Sequence, residues 1–217
     1  MGKRGSRNRN RHRQQQHPKH HSAAAPGAGE TGAIRKGWAG RLRVALVYPN
    51  TYAVGMSNLG FQTVYQRLNR FDGVVCERAF LPDAPAGRPR DTVVSEESRR
   101  PLTDFDLIAF SVAFENDYPN VLSLIAKAGL PLRADDRGAP FPLVVAGGVT
   151  CFINPEPLAP FIDLFLVGEA EPLLPAFVER LEAGDLTDDA GRHRLLLEIA
   201  REVPGAYVPR FYTPSYR

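Results

Sequence analysis

The chain has 217 residues, of which 43% are hydrophobic and 24% charged, the proportions of an ordinary globular protein. Its longest apolar run, residues 107–114, is far shorter than the roughly 20 residues that a membrane-spanning helix needs, so we expect no membrane segment. Two cysteines, widely separated in the sequence, exclude a disulfide scaffold and a zinc site built on closely paired thiolates.

The charge is unevenly divided along the chain. Residues 1–40 contain nine Lys or Arg and one acid, a net charge of +8, whereas residues 41–217 contain eighteen Lys or Arg and twenty-three acids, a net charge of −5. Because residues 1–40 contain few apolar side chains, we predict a disordered tail that is dispensable for folding. Its functional interpretation is weak contact with RNA or another polyanion, and the alternative is a solvated extension. No hydrophobic core follows the basic run, which excludes a secretory signal and favours a cytoplasmic location.

The chain contains no recognisable catalytic motif. Gly27, Gly29 and Gly32 have the spacing of a dinucleotide-binding fingerprint, but no strand precedes them and no helix follows. The sequence contains no phosphate loop of the Gly-x-x-x-x-Gly-Lys type, and the only histidine after the tail is His193. We therefore assign no catalytic residue to this chain.

From residue 41 onward, apolar runs of strand length alternate with segments of helical spacing. Strands are predicted at 42–48, 74–80, 106–113, 141–146 and 163–167. Helices are predicted at 58–70, 117–128, about 172–181 and about 188–203, with an irregular loop at 82–90 and a short acidic helix after it. Strands that are apolar on both faces and separated by helices are typical of a covered parallel sheet. We predict a doubly wound, five-stranded Rossmann-like or flavodoxin-like α/β domain over residues 41–183.

A sheet of this kind binds ligands beyond the carboxyl ends of its strands. Gly147 and Gly148 follow the fourth predicted strand and leave the backbone bare, so that a flat or phosphorylated ligand can approach it. The alternative is that the pair only forms a tight turn. Ser111 and Thr150 add hydroxyl groups at the same edge. The predicted ligand-binding residues are Asn50, Thr51, Ser111, Val112, Gly147, Gly148, Thr150, Gly168 and Glu169.

Other candidate groups are ambiguous in the sequence. We interpret Glu171 as a helix N-terminal residue that opposes the helix dipole, and leave Glu169 open between that role and acid–base chemistry. Cys76 lies within an apolar strand, which indicates buried packing. Cys151 follows the glycine pair and could face a ligand, but without a neighbouring histidine it is a poor nucleophile.

Three segments resemble a known family. They read RVALVYPNTYAVGMSNLGFQTVYQRLN (43–69), VVCERAFLP (74–82) and VVAGGVTCFINPEPLAPFIDLFLVGEAE (144–171). They resemble the N-terminal cobalamin-binding-type domain of radical S-adenosylmethionine proteins, and within these an uncharacterised bacterial branch, over about residues 42–210. The resemblance implies that Ser111, Gly147 and Gly148 line the cleft for the nucleotide tail of cobalamin.

Two departures from that family pattern matter. Where cobalt-ligating members carry Asp-x-His-x-x-Gly, residues 49–55 contain no histidine, so cobalamin would bind without a histidine ligand from this domain. The three-cysteine motif that would hold a [4Fe-4S] cluster is also absent. The resemblance thus implies that the cluster and S-adenosylmethionine belong to a separate catalytic barrel, the expected partner. We expect residues 184–217 to be a helix and linker toward that barrel, and the chain to be a fragment or a partial gene product.

Two functions remain open from the sequence. The first is a cobalamin-binding module of a radical S-adenosylmethionine protein. The second is a cofactor-free interaction or substrate-docking module of the same fold. A flavodoxin-like nucleotide binder is disfavoured because no Ser/Thr-rich phosphate loop follows the first predicted strand.

Overall fold

The computed structural model describes residues 30–82, 92–213 and 215. Its strands are β1 Leu42–Tyr48, β2 Val74–Phe80, β3 Leu107–Ser111, β4 Leu143–Gly147, β5 Leu164–Leu166 and β6 Ala206–Tyr207. Its α-helices are α1 Tyr52–Met56, α2 Leu59–Leu68, α3 Tyr118–Lys127, α4 Val149–Ile153, α5 Ala170–Ala183 and α6 Asp189–Glu202. Within these ranges, no helix is both long enough and apolar enough to cross a membrane.

The strands form one sheet in the order β2-β1-β3-β4-β5-β6. The first five strands are parallel, which confirms the predicted doubly wound α/β fold. The strand order reverses between β1 and β3, as in flavodoxin-like sheets. This reversal makes the carboxyl ends of β1 and β3 the position where a ligand is expected.

The sheet has a sixth strand that the sequence did not predict. β6 pairs antiparallel with β5, placing Tyr207 beside Phe165. Gly205 begins this pairing, and its carbonyl accepts a 2.7 Å hydrogen bond from the Val167 N–H. The segment 184–217, expected to be a helix and linker, thus also contains a strand of the sheet. A two-residue strand is too short to produce an apolar run.

Two apolar layers cover the two faces of the sheet. Val44, Leu46 and Tyr48 of β1 face a layer built from α2, α5 and α6, whereas Ala45 and Val47 face a layer built largely from α3 and the loops after it. The successive residues of β1 alternate between the layers because strand side chains point to opposite faces. α6 packs on this sheet and β6 is its last strand, although both lie after residue 183, where the predicted domain ends.

Helices α2 and α6 begin where the sequence predicted, whereas the short helices α1 and α4 were not predicted. The Asn58 side chain accepts a 2.9 Å hydrogen bond from the Phe61 N–H and so caps α2. Asp188 caps α6 in the same way, by accepting from the Gly191 N–H at 2.7 Å. The predicted irregular loop at 82–90 lies almost entirely outside the described residues. The acidic helix expected after it is instead a turn at residues 96–98.

Residues 30–40 pack against the domain, so the prediction of disorder is wrong for them, while residues 1–29 lie outside the described part. The Ile34 N–H donates to the Tyr65 hydroxyl at 2.7 Å, and the Trp38 indole N–H donates to a carboxylate oxygen of Glu77 at 2.8 Å. Glu30 forms a salt bridge with Arg78 of β2. We call residues 30–40 the arm. It covers β2, an edge strand whose seven residues are all buried.

A buried charge cluster fixes the C-terminal segment to the start of β5. The Asp163 carboxylate is fully buried and pairs with Arg192 at 3.1 Å, Arg210 at 3.1 Å and Arg137 at 3.3 Å. Arg192 lies on α6, and Arg210 lies in a short 3-10 turn, Pro209–Phe211, after β6. Because a lone buried carboxylate would be costly, these contacts tie the chain after β6 firmly to the sheet.

Candidate functional site

Two loops flank the reversal point of the sheet. One follows β1 from Pro49, and the other follows β3 from Val112 to the start of α3. Asn50 in the first loop donates a 2.8 Å side-chain hydrogen bond to Oδ1 of Asp117 in the second. This bond joins the two loops where doubly wound sheets place their ligands.

Asp117 has an unusual set of partners. It occupies the N-cap position of α3, yet its side chain makes no capping bond. Its Oδ1 instead accepts from Asn50, and at 3.4 Å from Asn120, whose amide also donates to the Pro49 carbonyl at 2.9 Å. Asp117 is only 3% exposed, and its Oδ2 is buried with no hydrogen-bond partner among the described residues. Sequence reasoning interpreted this residue only as a helix start, because its partner Asn50 is distant in the chain.

Three of the predicted residues lie at neighbouring strand ends. Ser111 and Gly147 are register partners at the ends of β3 and β4, and Asn50 follows the adjacent β1. All three are partly exposed. A Cβ on Gly147 would meet only Leu166, its carbonyl oxygen at 3.4 Å and its Cβ at 4.0 Å, which are ordinary contacts. The end of β4 therefore presents bare backbone beside the Ser111 hydroxyl.

Gly148 is required by backbone packing. Its φ of +108° is rarely adopted by other residues, and a Cβ there would lie 2.4 Å from the Val112 carbonyl oxygen. The same carbonyl accepts a 2.9 Å hydrogen bond from the Thr150 hydroxyl. Val112 and Thr150 are buried, so the turn uses the hydroxyl that was expected to face a ligand. The tight-turn alternative accounts for Gly148.

The remaining predicted residues lie apart from this group. Thr51 is half-buried, and its N–H donates to the Asn50 side chain at 2.9 Å. Gly168 and Glu169 are exposed after β5, which lies three strand spacings, roughly 14 Å, from β1. Glu169 occupies the N-cap position of α5 without a capping bond, and Glu171 in the first helical turn pairs with Arg67 at 3.2 Å. These groups border the edge but do not join the Asn50–Asp117 bridge.

The cysteines are placed for packing. Cys76 is fully buried in β2, as predicted. Cys151 is also buried, so the expectation that it could face a ligand is wrong, and burial raises the pKa of its thiol to about 11. His193 lies on α6, and its ring centre is 5.5 Å from that of Phe211. Among the described residues, no group of three or more His, Cys, Asp or Glu is arranged to hold a metal ion.

Large apolar side chains are exposed at the same edge of the sheet. Phe114 follows β3 and is 58% exposed, while Val149, Phe152 and Ile153 of α4 are 54%, 63% and 68% exposed. We call these four residues the carboxyl-edge surface. Single exposed apolar residues are common, but a set from two neighbouring strand ends is typical of an interaction site.

Two grooves lie elsewhere on the domain. One, of about 290 Å³, lies beside Trp38, Arg43 and Asp106 at the amino ends of the strands. The other, of about 710 Å³, lies beside β6 and is lined by Tyr207 and Arg210, among others. None of the nine predicted binding residues lines either groove. The ligand prediction thus depends on the carboxyl edge itself.

The fold and this edge define a doubly wound α/β domain with flavodoxin-like strand order. Residues 60–209, more than half of the chain, match the family described as the N-terminal part of radical SAM (S-adenosylmethionine) proteins, and the chain belongs to this family. An uncharacterized protein of Methanocaldococcus jannaschii is 30% identical over 128 residues. The match covers 59% of this chain and 24% of that protein, so the chain spans about a quarter of this relative. No solved structure matches the chain.

Proposed function

We propose that this chain is the module of a radical SAM protein that holds cobalamin at the carboxyl edge of its sheet. The observation that carries the proposal is the reversal of strand order between β1 and β3, where the partly exposed Asn50 and Ser111 lie at the ends of these strands and Gly147 ends the next strand, β4. Ligands of open α/β sheets bind at such a point. In this proposal the [4Fe-4S] cluster and S-adenosylmethionine belong to a separate catalytic domain, which is the partner of this edge.

The residues at the edge suit part of the cobalamin molecule. Bare backbone at Gly147, the Ser111 hydroxyl and the Asn50 amide are groups that hydrogen-bond amide and phosphate groups. No histidine lies at this edge among the described residues, so cobalamin bound here would receive no histidine ligand from them. Bound cobalamin supplies radical chemistry, while these residues bind and orient it.

A second candidate function is a docking module without a cofactor. The exposure of Phe114, Val149, Phe152 and Ile153 favours it, because a protein partner would bury these side chains. The packing of Gly148 against Val112 also removes one argument for a cofactor groove. In this alternative the partner is the radical SAM catalytic domain itself.

Cobalamin retention separates the two functions. The purified chain is mixed with hydroxocobalamin, passed through gel filtration and examined by its visible spectrum. We expect the corrin absorption to elute with the protein in a ratio near one. A matched control is Ser123→Trp, which adds the same bulk on α3 away from the edge and should retain cobalamin. Ser111→Trp should lose it, and a parent chain that elutes colourless would leave the docking function in its place.

A further inference from the structure

Asp117 has more hydrogen-bonding capacity than the fold uses. Of its two carboxylate oxygens, only Oδ1 is used, because both Asn50 and Asn120 donate to that atom. An asparagine could supply the same acceptor without a charge. None of the salt bridges within the described ranges involves Asp117. The second carboxylate oxygen therefore has neither a hydrogen bond nor a salt bridge within the described residues.

A buried and unpartnered carboxylate oxygen is costly. Native proteins pair nearly all buried polar groups, and a charged group without a partner costs more than a neutral one. The charge is felt nearby, since burial and then the negative charge of Asp117 raise the pKa of the buried Tyr48 phenol. Each exception calls for an explanation, and a functional role is one of them. The other two buried unpartnered atoms of the described residues, Nε of Arg137 and of Arg192, belong to guanidinium groups that pair with Asp163, whereas Asp117 has no ion-pair partner and lies at the reversal point.

We propose that Oδ2 of Asp117 is a ligand-binding acceptor that takes a hydrogen bond from an N–H group of the molecule bound between β1 and β3. The inference rests on the proposed function, which makes that molecule cobalamin and the donor one of its side-chain amides. Residues 114–116, next to Asp117 in the chain, are exposed at this edge. Oδ2 itself is covered in the folded chain, so neighbouring groups have to move before a ligand can reach it, while Oδ1 keeps its bonds to Asn50 and Asn120.

The test is the substitution Asp117→Asn, which changes little besides Oδ2. With its oxygen in the Oδ1 position, the new side chain keeps both donors and replaces the unpartnered acceptor by an N–H₂ group. We expect the ligand-free variant to melt at the same temperature as the parent or higher, because a neutral amide costs less to bury than a carboxylate. We expect its Kd for hydroxocobalamin to rise about tenfold or more, as for a lost hydrogen bond to a charged group.

Two controls separate the roles of the side chain. Glu115→Gln removes an exposed charge from the same turn and should change neither the melting temperature nor the Kd. Asp117→Ala removes Oδ1 as well and should lower the melting temperature, because Asn50 and Asn120 lose their acceptor.

Three outcomes of these measurements would count against the role assigned to Oδ2 of Asp117. An Asp117→Asn chain that melts lower or fails to fold would make the carboxylate structural and overturn the inference. Equal cobalamin affinity in the parent and the variant would overturn the inference but leave the proposed function standing. A parent chain that binds no cobalamin would overturn the proposed function first, and the assignment of Oδ2 to a cobalamin amide with it.

Discussion

Gly147 and Gly148 are adjacent in the sequence, but their missing side chains have different consequences. At Gly148 a Cβ would collide with the Val112 carbonyl oxygen, at 2.4 Å, and the backbone has a positive φ. At Gly147 the nearest contact would be an ordinary 3.4 Å. Only Gly148 is therefore required by the fold, and Gly147 is open to a role in binding.

This difference predicts opposite results for two alanine substitutions. Gly148→Ala should lower the free energy of unfolding by more than about 1 kcal/mol, because alanine is strained at that φ and displaces a backbone carbonyl. Gly147→Ala, the matched control, should leave it nearly unchanged or raise it slightly. Urea unfolding followed by circular dichroism measures both values. Equal destabilisation by the two substitutions would contradict the packing seen around Val112.

At the scale of elements, the arm shows how polar contacts can order a segment that is poor in apolar residues. Lys36 donates to the carbonyls of Phe71 and Val74 at 2.8 and 2.9 Å. Trp38 donates to Glu77, which is almost fully buried in β2. Without the arm, that carboxylate would lose its indole partner and β2 its cover.

We therefore predict that the arm contributes to stability. The free energy of unfolding should be about 2 kcal/mol lower for a chain that begins at Gly40 than for one that begins at Glu30, because buried polar groups lose their partners. Trp38→Phe is the single-residue version, since it keeps an aromatic ring at this position and removes the N–H that donates to Glu77. Thermal and urea unfolding measure the difference. Identical unfolding curves for the two truncated chains would show that the arm contacts add nothing.

The sheet and its helices could be predicted because their signals are local. Strands β1 to β4 are mostly apolar runs, although β2 contains Glu77 and Arg78, and α2 begins at a side-chain cap visible in the sequence. The arm and β6 could not be predicted, because each is ordered by residues far away in the chain. Trp38 depends on Glu77, and Tyr207 depends on Phe165.

The candidate site was predictable in position but not in detail. The carboxyl edge follows from the alternation of strands and helices. The roles of Gly148 and Thr150 depend on Val112, nearly forty residues earlier, and no local pattern reveals that contact. Asp117 was missed for the same reason, since a helix start is the ordinary place for an acid.

At the scale of the whole molecule, the two ends of the sheet differ in how their carboxylates are paired. At the amino end, Asp163 pairs with three arginines and Asp106 pairs with Arg43, although the Nε atoms of Arg137 and Arg192 are buried without a partner among the described residues. At the carboxyl end, Asp117 has an unpartnered oxygen and apolar side chains are exposed. The amino end thus stabilises the domain, and the carboxyl end retains groups that a ligand or a partner can satisfy.

Because the side chains of the carboxyl-edge surface are apolar and exposed, we predict that this end of the isolated chain binds apolar molecules. The chain should bind the apolar dye bis-ANS, and the double substitution Phe152→Ser, Ile153→Ser should reduce that fluorescence at least twofold. The melting temperature should hardly change, because both side chains are mostly exposed already. Leu132→Ser is the control, since this partly exposed leucine lies beyond the far end of α3. If the catalytic domain proposed as the partner covers this surface, a longer protein that contains both should bind little dye. Undiminished dye fluorescence in that longer protein would mean that this edge faces solvent rather than the catalytic domain.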